Sequence, residues 1–489
     1  MNWMDRFIET VSPSWGYRRY AWRRALRGFY DSGNNDRLNS GWTPVNATAE
    51  QTDYPQRDII RARSRDLERN SDIAEAIIGP LERNVVGTGI KLQAKVKKAD
   101  GKTEDEDLNE QIEELWIDWC RPSNCDVTGH QSFQEMQAMA MRRLSVDGAI
   151  IFIKVYTDSG SVPLKLQARE VDELDASINY SVPVGRNRIY GGIEMDEYNK
   201  PVAYWFKKFT PDGFWNGQSE RIEAERVIFL WRKHRPTQLR EVSPLAKTLP
   251  RVRDINEYVE AVSVKERILA CLSVFIKKQA PSGIGRGIGV VDDQSGYQQR
   301  TIAPGMIQEL LPGEDIAAVT PSGQASSARE FITTQQRLAG SGQGLSYEAV
   351  SRDMSQVNYS SARQGLLEDQ RTYSIWQQFL IEHFCREVYT EFIISAVLSG
   401  KLTLPGFWKE KRRYLKHVWI PPGWSWIDPQ KEVNANAKAL GTGQDTLSRI
   451  CAERGEDWRD VLEQRAREIK LIQELGLSIS GGDNIAATQ

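Results

Sequence analysis

Long apolar runs, histidine and clustered cysteine are all scarce in this sequence. No stretch approaches the roughly 18–20 apolar residues that cross a bilayer; the longest, AIIFIKVY at 149–156, is interrupted by Lys154. The opening MNWMDRFIETVSPSW lacks the charged start and apolar run of a secretion signal. Five scattered cysteines make no disulfide framework and suit a reducing compartment. An excess of charge is missing too: 64 Lys+Arg face 66 Asp+Glu, a net −2 over 489 residues. That excludes a protein coating nucleic acid through bulk positive potential and leaves local basic features open. The expectation is a large soluble cytoplasmic protein of about three domains.

Catalytic constellations are also missing. No stretch has Gly, four residues, then Gly-Lys-Ser/Thr, so there is no Walker A loop. GIGRGIG at 283–289 fails G-x-G-x-x-G in either register and reads as flexible loop. Cys120, Cys125 and His130, with four residues between each, lack the fourth ligand of a structural zinc site. His383 and Glu387 lie one helical turn apart and could seat a metal, but read better as flanks of an apolar stripe, pairing with each other or with water. With four histidines, none beside a Ser or Cys nucleophile, hydrolase chemistry has little support. No enzymatic activity, metal or cofactor is expected.

What is present is mainly helical, in an α+β arrangement. GYRRYAWRRALRGFY at 16–30 mixes arginines with aromatics and reads as a short helix, or as an arm touching phosphates, before a loop at 31–44. Residues 57–87 are helical, with Leu67, Ala74, Ile77 and Leu81 on one face and Ser71 capping a second helix. Ile90, Leu92, Ala94 and Val96 then alternate as a strand. Thr103 with Glu106, and Ser132 with Glu135, form capping-box pairs. After a turn at Asp147-Gly148, residues 149–156 read as a central strand. Residues 191–208 read as a hairpin turning at Asn199-Lys200-Pro201. Residues 57–235 thus form one expected α+β domain.

From Ser243 to Lys278 the pattern is helical, with Pro250 tolerated in the first turn. Residues 280–325 are an insertion rich in Gly, Gln and Ser, with short strands around Pro312-Gly313. Residues 326–338 resume a helix, and GSGQG at 340–344 breaks it. Trp376, Leu380, Phe384, Val388, Phe392 and Ala396 repeat every four residues up to a stop at Gly400. A helix of roughly 40 residues would be about 60 Å long, which invites an elongated, assembled architecture. Helices rich in Ala, Leu and Glu run to about residue 476, and the tail 477–489 is expected to be disordered.

The stretch QVNYSSARQGLLEDQRTY at 356–373 holds the one cluster resembling a nucleophile with helpers. Only Asp353 and Glu348 are near as bases. Tyr359, Ser360 and Ser361 therefore read as the cap of the long helix, where Ser or Asn accepts unpaired first-turn N–H groups.

Five pieces, in order, resemble the lambda-type portal family of tailed bacteriophages: RARSRDLERNSDIAEAIIGPLERNVVGTG, GGIEMDEYNKPVAYWF, RPTQLREVSPL, SYEAVSRDMSQVNYSSARQGLLE and GWSWIDPQKEVNANAKALGTGQDTLSRICAERGEDW. One departure is Glu241, where the family usually has Gly before VSPL, so the local turn is expected to differ. The resemblance implies a ring, normally a dodecamer, at one capsid vertex, with double-stranded DNA entering and leaving through its channel. A separate terminase supplies the ATPase, in keeping with the missing Walker A loop. Implied partners are further copies of the chain, the terminase large subunit, the major capsid and scaffolding proteins and a head–tail connector, with no membrane. The implied location is the virion, and the host cytoplasm during assembly.

By order along the chain, residues 1–44 would be an N-terminal arm, 45–242 a wing and 243–279 a stem helix. Residues 280–325 would be the clip, where Arg286, Asp292, Asp293, Tyr297 and Arg300 would meet docking partners. Residues 326–342 would return as the second stem helix, and 343–359 would be a channel loop. Residues 360–400 and 401–476 would complete wing and crown. Tyr347, Arg352, Asp353, Ser355, Gln356 and Asn358 would face DNA, with Asp353 opposing Arg352 to keep the grip weak. The alternative is a minor capsid or head-completion protein without a DNA channel, which would not need the helix–insert–helix–loop–helix order at 243–398. A metal-dependent nuclease built on scattered carboxylates is a third reading.

Overall fold

The computed structural model describes Trp15 and residues 44–179, 187–210, 212–270, 274–278, 314–318, 326–355, 358–424, 429–454 and 456–475. The arginine-rich segment 16–30, the GIGRGIG loop, the five clip residues Arg286, Asp292, Asp293, Tyr297 and Arg300, Gln356 and the tail 477–489 lie outside them. The chain divides into two units, 1–55 and 56–489. In the first, helix α1 (Ala49–Asp53) carries a complete capping box between Thr48 and Gln51.

In the second unit, helix α2 (Arg57–Asn70) gives way at Ser71 to α3 (Asp72–Val85). Ser71 is extended, so no helix runs through it, and its Oγ accepts the Ala74 N–H at 3.2 Å. Ala74, Ile77, Ile78, Leu81 and Val85 turn inward. Gly87 and Gly89 reverse the chain with positive φ. A Cβ at Gly89 would lie 2.3 Å from the Gln134 side chain, so glycine is required there. Strand β1 (Lys91–Ala94) then pairs antiparallel with a segment far along the chain, setting Leu92 opposite Trp419.

Helix α4 (Glu106–Trp119) starts without the expected Thr103–Glu106 box. Asp100 draws both the Thr103 hydroxyl (2.6 Å) and its N–H (3.0 Å) into a turn, and the residue at the helix N-cap position is Asp105, two residues later. The Ser132–Glu135 box does form, ahead of α5 (Phe133–Val146). Strand β2 (Ala149–Tyr156) is central, flanked by β3 (Leu164–Arg169) and β8 (Val227–Trp231). Between these last two come β4 (Arg188–Tyr190), β5 (Ile193–Met195), β6 (Pro201–Phe209) and β7 (Trp215–Glu223), one antiparallel sheet. The β5–β6 hairpin turns where sequence placed it, with Asn199 at φ 66°.

The region 57–235 closes a small core between its two sheets, around Ile151, Phe206 and Ile222, but not its main one. Helix α9 (Tyr359–Leu380) continues through a π-helical turn, Ile381–Cys385, into α10 (Arg386–Leu398). The expected stripe on this rod is buried: Leu380, Phe384, Val388, Phe392 and Ala396 are wholly inaccessible. Phe384 stacks on Phe152 of β2 at 4.5 Å, and Phe392 meets Trp116 edge-on at 5.0 Å. One core therefore joins α3, α4, α5, β2, β3, β8 and the long helix with β11 (His417–Ile420). Gly400, at φ 72°, ends the rod.

Two boundaries differ from expectation. Helix α6 spans Leu249–Ala270 rather than running to Lys278; Val274–Lys278 is a strand, β9, paired antiparallel with β10 (Glu314–Ala318). Val274, Phe275 and Ile276 favour a pleated strand once β10 offers a ladder. Helix α7 (Ser326–Gln343) passes through Gly340 and Gly342 and stops at Gly344. The Cβ position at Gly340 lies 3.0 Å from the Leu345 carbonyl, so glycine there serves close packing inside a helix. The C-terminal helices α11 (Pro429–Thr442), α12 (Leu447–Glu453) and α13 (Trp458–Glu474) follow β11.

Candidate nucleic-acid interface

The segment between α7 and α9 is an anchored elbow carrying a short exposed loop. Gly344, at φ 75°, makes the first bend, and its carbonyl accepts the Thr372 hydroxyl at 2.8 Å. Ser346 then donates its N–H (2.7 Å) and hydroxyl (2.6 Å) to the buried Asp369 on α9. Burial pushes the Asp369 carboxyl above its ordinary value, and the two Ser346 donors pull it back. Ser346 also caps helix α8 (Tyr347–Ser351), whose Val350 enters the core.

The loop residues expected at DNA divide accordingly. Tyr347 opens α8, its ring 5.1 Å from the Arg337 guanidinium. Arg352 ends α8 in the left-handed region, φ 56° and ψ 18°, which for a side-chain-bearing residue costs about 1–2 kcal/mol. Its side chain is exposed and, among the described residues, makes no ion pair or hydrogen bond. Asp353 does not oppose it. The Asp353 carboxylate accepts the Ser355 N–H at 3.0 Å; Ser355 donors, with Arg329 nearby, hold it below the usual range. Asn358, rather than Tyr359, Ser360 or Ser361, caps the long helix: its Oδ1 accepts both the N–H and the hydroxyl of Ser361 at 2.9 Å. Between α8 and α9 the described residues outside helices are 352–355 and 358.

The other candidates come apart. Cys120 and Cys125 are buried thiols; burial pushes Cys125 up to about 12, and its Sγ contacts the Cys120 and Gln131 carbonyls. His130 gives its N–H to Asp126. Among the described residues no group of three or more potential ligands could hold a metal. His383 lies against the Phe379 ring at 4.7 Å. Glu387, instead of pairing with His383, receives the buried Lys154 at 2.6 Å, and Lys154 also reaches Glu391 at 3.2 Å.

A buried ionic network escaped the sequence reading. Glu241 is 1% exposed; Arg61 Nη1 donates to it at 2.9 Å and Arg240 Nη2 at 3.0 Å, while Arg57 donates to its carbonyl at 2.9 Å. Arg65 holds Asp147 (2.7 Å) and Asp172 (2.6 Å), and Arg142 holds Glu68, Glu75 and Glu82. Burial would raise the Glu68 carboxyl, but Arg143 and Arg142 outweigh it and hold it low. The available signal was Arg57, Arg61 and Arg65 at a spacing of four, one face of a helix.

Residues 35–377, well over half of the chain, match the sequence family described as phage portal protein, lambda family. The probable portal protein of Halomonas phage phiHAP-1 is 28% identical over 449 residues, covering 90% of this chain and 86% of that protein. Portal protein B of Escherichia phage lambda is 20% identical over 489 residues, covering 93% and 91%. Among solved structures, an HK97 family phage portal protein from Corynebacterium diphtheriae aligns with a TM-score of 0.32 at 10% identity, covering 63% of this chain and 84% of that one. The chain belongs to the lambda family of phage portal proteins.

Proposed function

We propose that copies of this chain close into a ring, dodecameric in the family, at one vertex of the capsid. Double-stranded DNA passes along its axial channel during packaging and ejection. The family match over 35–377 carries this reading. Ring closure by rotation is a heterologous contact, so each subunit presents two different faces to its neighbours. Terminase and a head–tail connector dock on the insertion 280–325, capsid and scaffolding proteins meet the ring's periphery, and assembly takes place in the host cytoplasm.

Within the ring, loop 352–358 faces the DNA. Three features support this: Arg352 is exposed and unpaired among the described residues, its backbone is held in the left-handed region, and the Ser346–Asp369 anchor fixes the loop's root. One arginine per subunit grips phosphate weakly enough for DNA to move. The variant Arg352→Ala should form normal rings and package shortened or leaking genomes. Full-length packaged genomes and undiminished infectivity in that variant would remove the loop from the channel.

A further inference from the structure

Arginines at the elbow differ in their partners: Arg371 pairs with Glu368 and Arg337 lies over the Tyr347 ring, while three others share one wall. Arg83 in the last turn of α3, Arg352 at the end of α8 and Arg363 near the start of α9 line one cavity of about 410 Å³. All three are exposed, and among the described residues none makes an ion pair or hydrogen bond through its guanidinium. Arg142, in the same fold, is held by three glutamates. Two carboxylates share the cavity wall, Glu348 and Asp369, and Asp369 is already taken by both Ser346 donors. Positive charge therefore exceeds negative at this wall. The first turn of α9, through Ala362 and Arg363, adds the positive end of a helix dipole.

We infer that Arg83, Arg352 and Arg363 form one seat for a phosphodiester group of double-stranded DNA. The inference rests on the reading that loop 352–358 faces DNA, and adds two residues outside that loop. Planar guanidinium forks match the paired oxygens of a phosphodiester, and the three forks come from separate elements that line one cavity. Asp353, turned away onto Ser355, does not compete for them. The seat thus joins one contact at the end of α8 to two contacts on the long helices α3 and α9.

The test is binding of a short fluorescently labelled duplex to the full-length protein, read by anisotropy between about 50 and 200 mM salt. Arg83→Ala and Arg363→Ala should each lower the slope of log affinity against log salt by about 0.9, and together by twice that. The loss should be uniform across DNA sequences. Arg83→Lys and Arg363→Lys should recover most of the slope, since they keep the charge. Unchanged melting temperatures would show that the variants fold. Wild-type affinity and slope in both alanine variants, alongside weakened binding by Arg352→Ala, would overturn the seat and leave the loop reading standing. Wild-type DNA binding with loss of rings would assign the arginines to a neighbouring copy's carboxylates, against the inference. Rings of the unaltered protein that bind no duplex would overturn both.

Discussion

Replacing Glu241 tests the network that holds α2 against the segment leading to α6. Its side chain is wholly inaccessible and lies between Arg61 and Arg240, themselves 5% and 3% exposed. Removing one member of a buried ion pair costs about 3–5 kcal/mol, because the remaining charge stays buried without its partner. Here the orphans keep something: Arg61 retains Asp58 and Asp172, and Arg240 retains the Gly191 and Val171 carbonyls. The cost of Glu241→Ala should therefore fall at the low end, about 3 kcal/mol. Glu241→Gln keeps an acceptor and should cost about 1–2 kcal/mol. An unfolding entropy of about 2.1 cal/mol/K per residue means a unit this long moves roughly 1 °C per kcal/mol. Calorimetry should then place Glu241→Ala about 3 °C below the unaltered protein, with urea midpoints in the same order. A double variant with Arg240→Leu should recover part of the loss, since no buried cation then lacks its partner. Equal melting of Glu241→Ala and the unaltered protein would refute the reasoning, and so would equal losses for Ala and Gln.

Three further outcomes follow from the same structure. Burial raises the Glu113 carboxyl from its ordinary 4.5 to about 7, so the folded chain holds that proton longer than the unfolded one. Its stabilisation is complete below 4.5 and lost as pH rises through 7; Glu113→Gln should match the parent near pH 4 and melt higher at pH 8, measured as the difference between the two. Lys154→Met should cost about 1–3 kcal/mol in urea unfolding, because Glu387 and Glu391 then face each other one turn apart without their cation. Asp369→Ala should release Ser346, costing about 1–3 kcal/mol and speeding amide hydrogen exchange across 344–358 more than across 376–398.

What sequence made legible was local. Ser71, and Ser132 with Glu135, are caps because a side chain three residues away reaches an orphan N–H, and that distance is written in the spacing. The four-residue stripe from Trp376 to Ala396 was equally plain, and it is buried along its length. Competition defeated the same rule at Thr103, where Asp100 is closer than any helix start. Long-range pairings gave no signal. Lys154 meets Glu387 across 233 residues, and β1 finds its partner beyond residue 416. The expected opposition of Arg352 by Asp353 failed because adjacent residues need not face each other: past the left-handed turn at Arg352, Asp353 engages Ser355 while the Arg352 side chain stays exposed. Glu241 stood out only as a departure from the family's glycine; its three arginines come from two segments separated by more than 170 residues.

On the proposed function, copies of the chain close into a ring around a DNA channel. Electron microscopy of the purified full-length protein, with its mass in solution, tests this most directly. The expected result is rings with an axial hole and a mass that is a whole multiple of the subunit's, twelvefold where the family pattern holds. A chain that remained a single subunit even with its phage's scaffolding and capsid proteins present would contradict it.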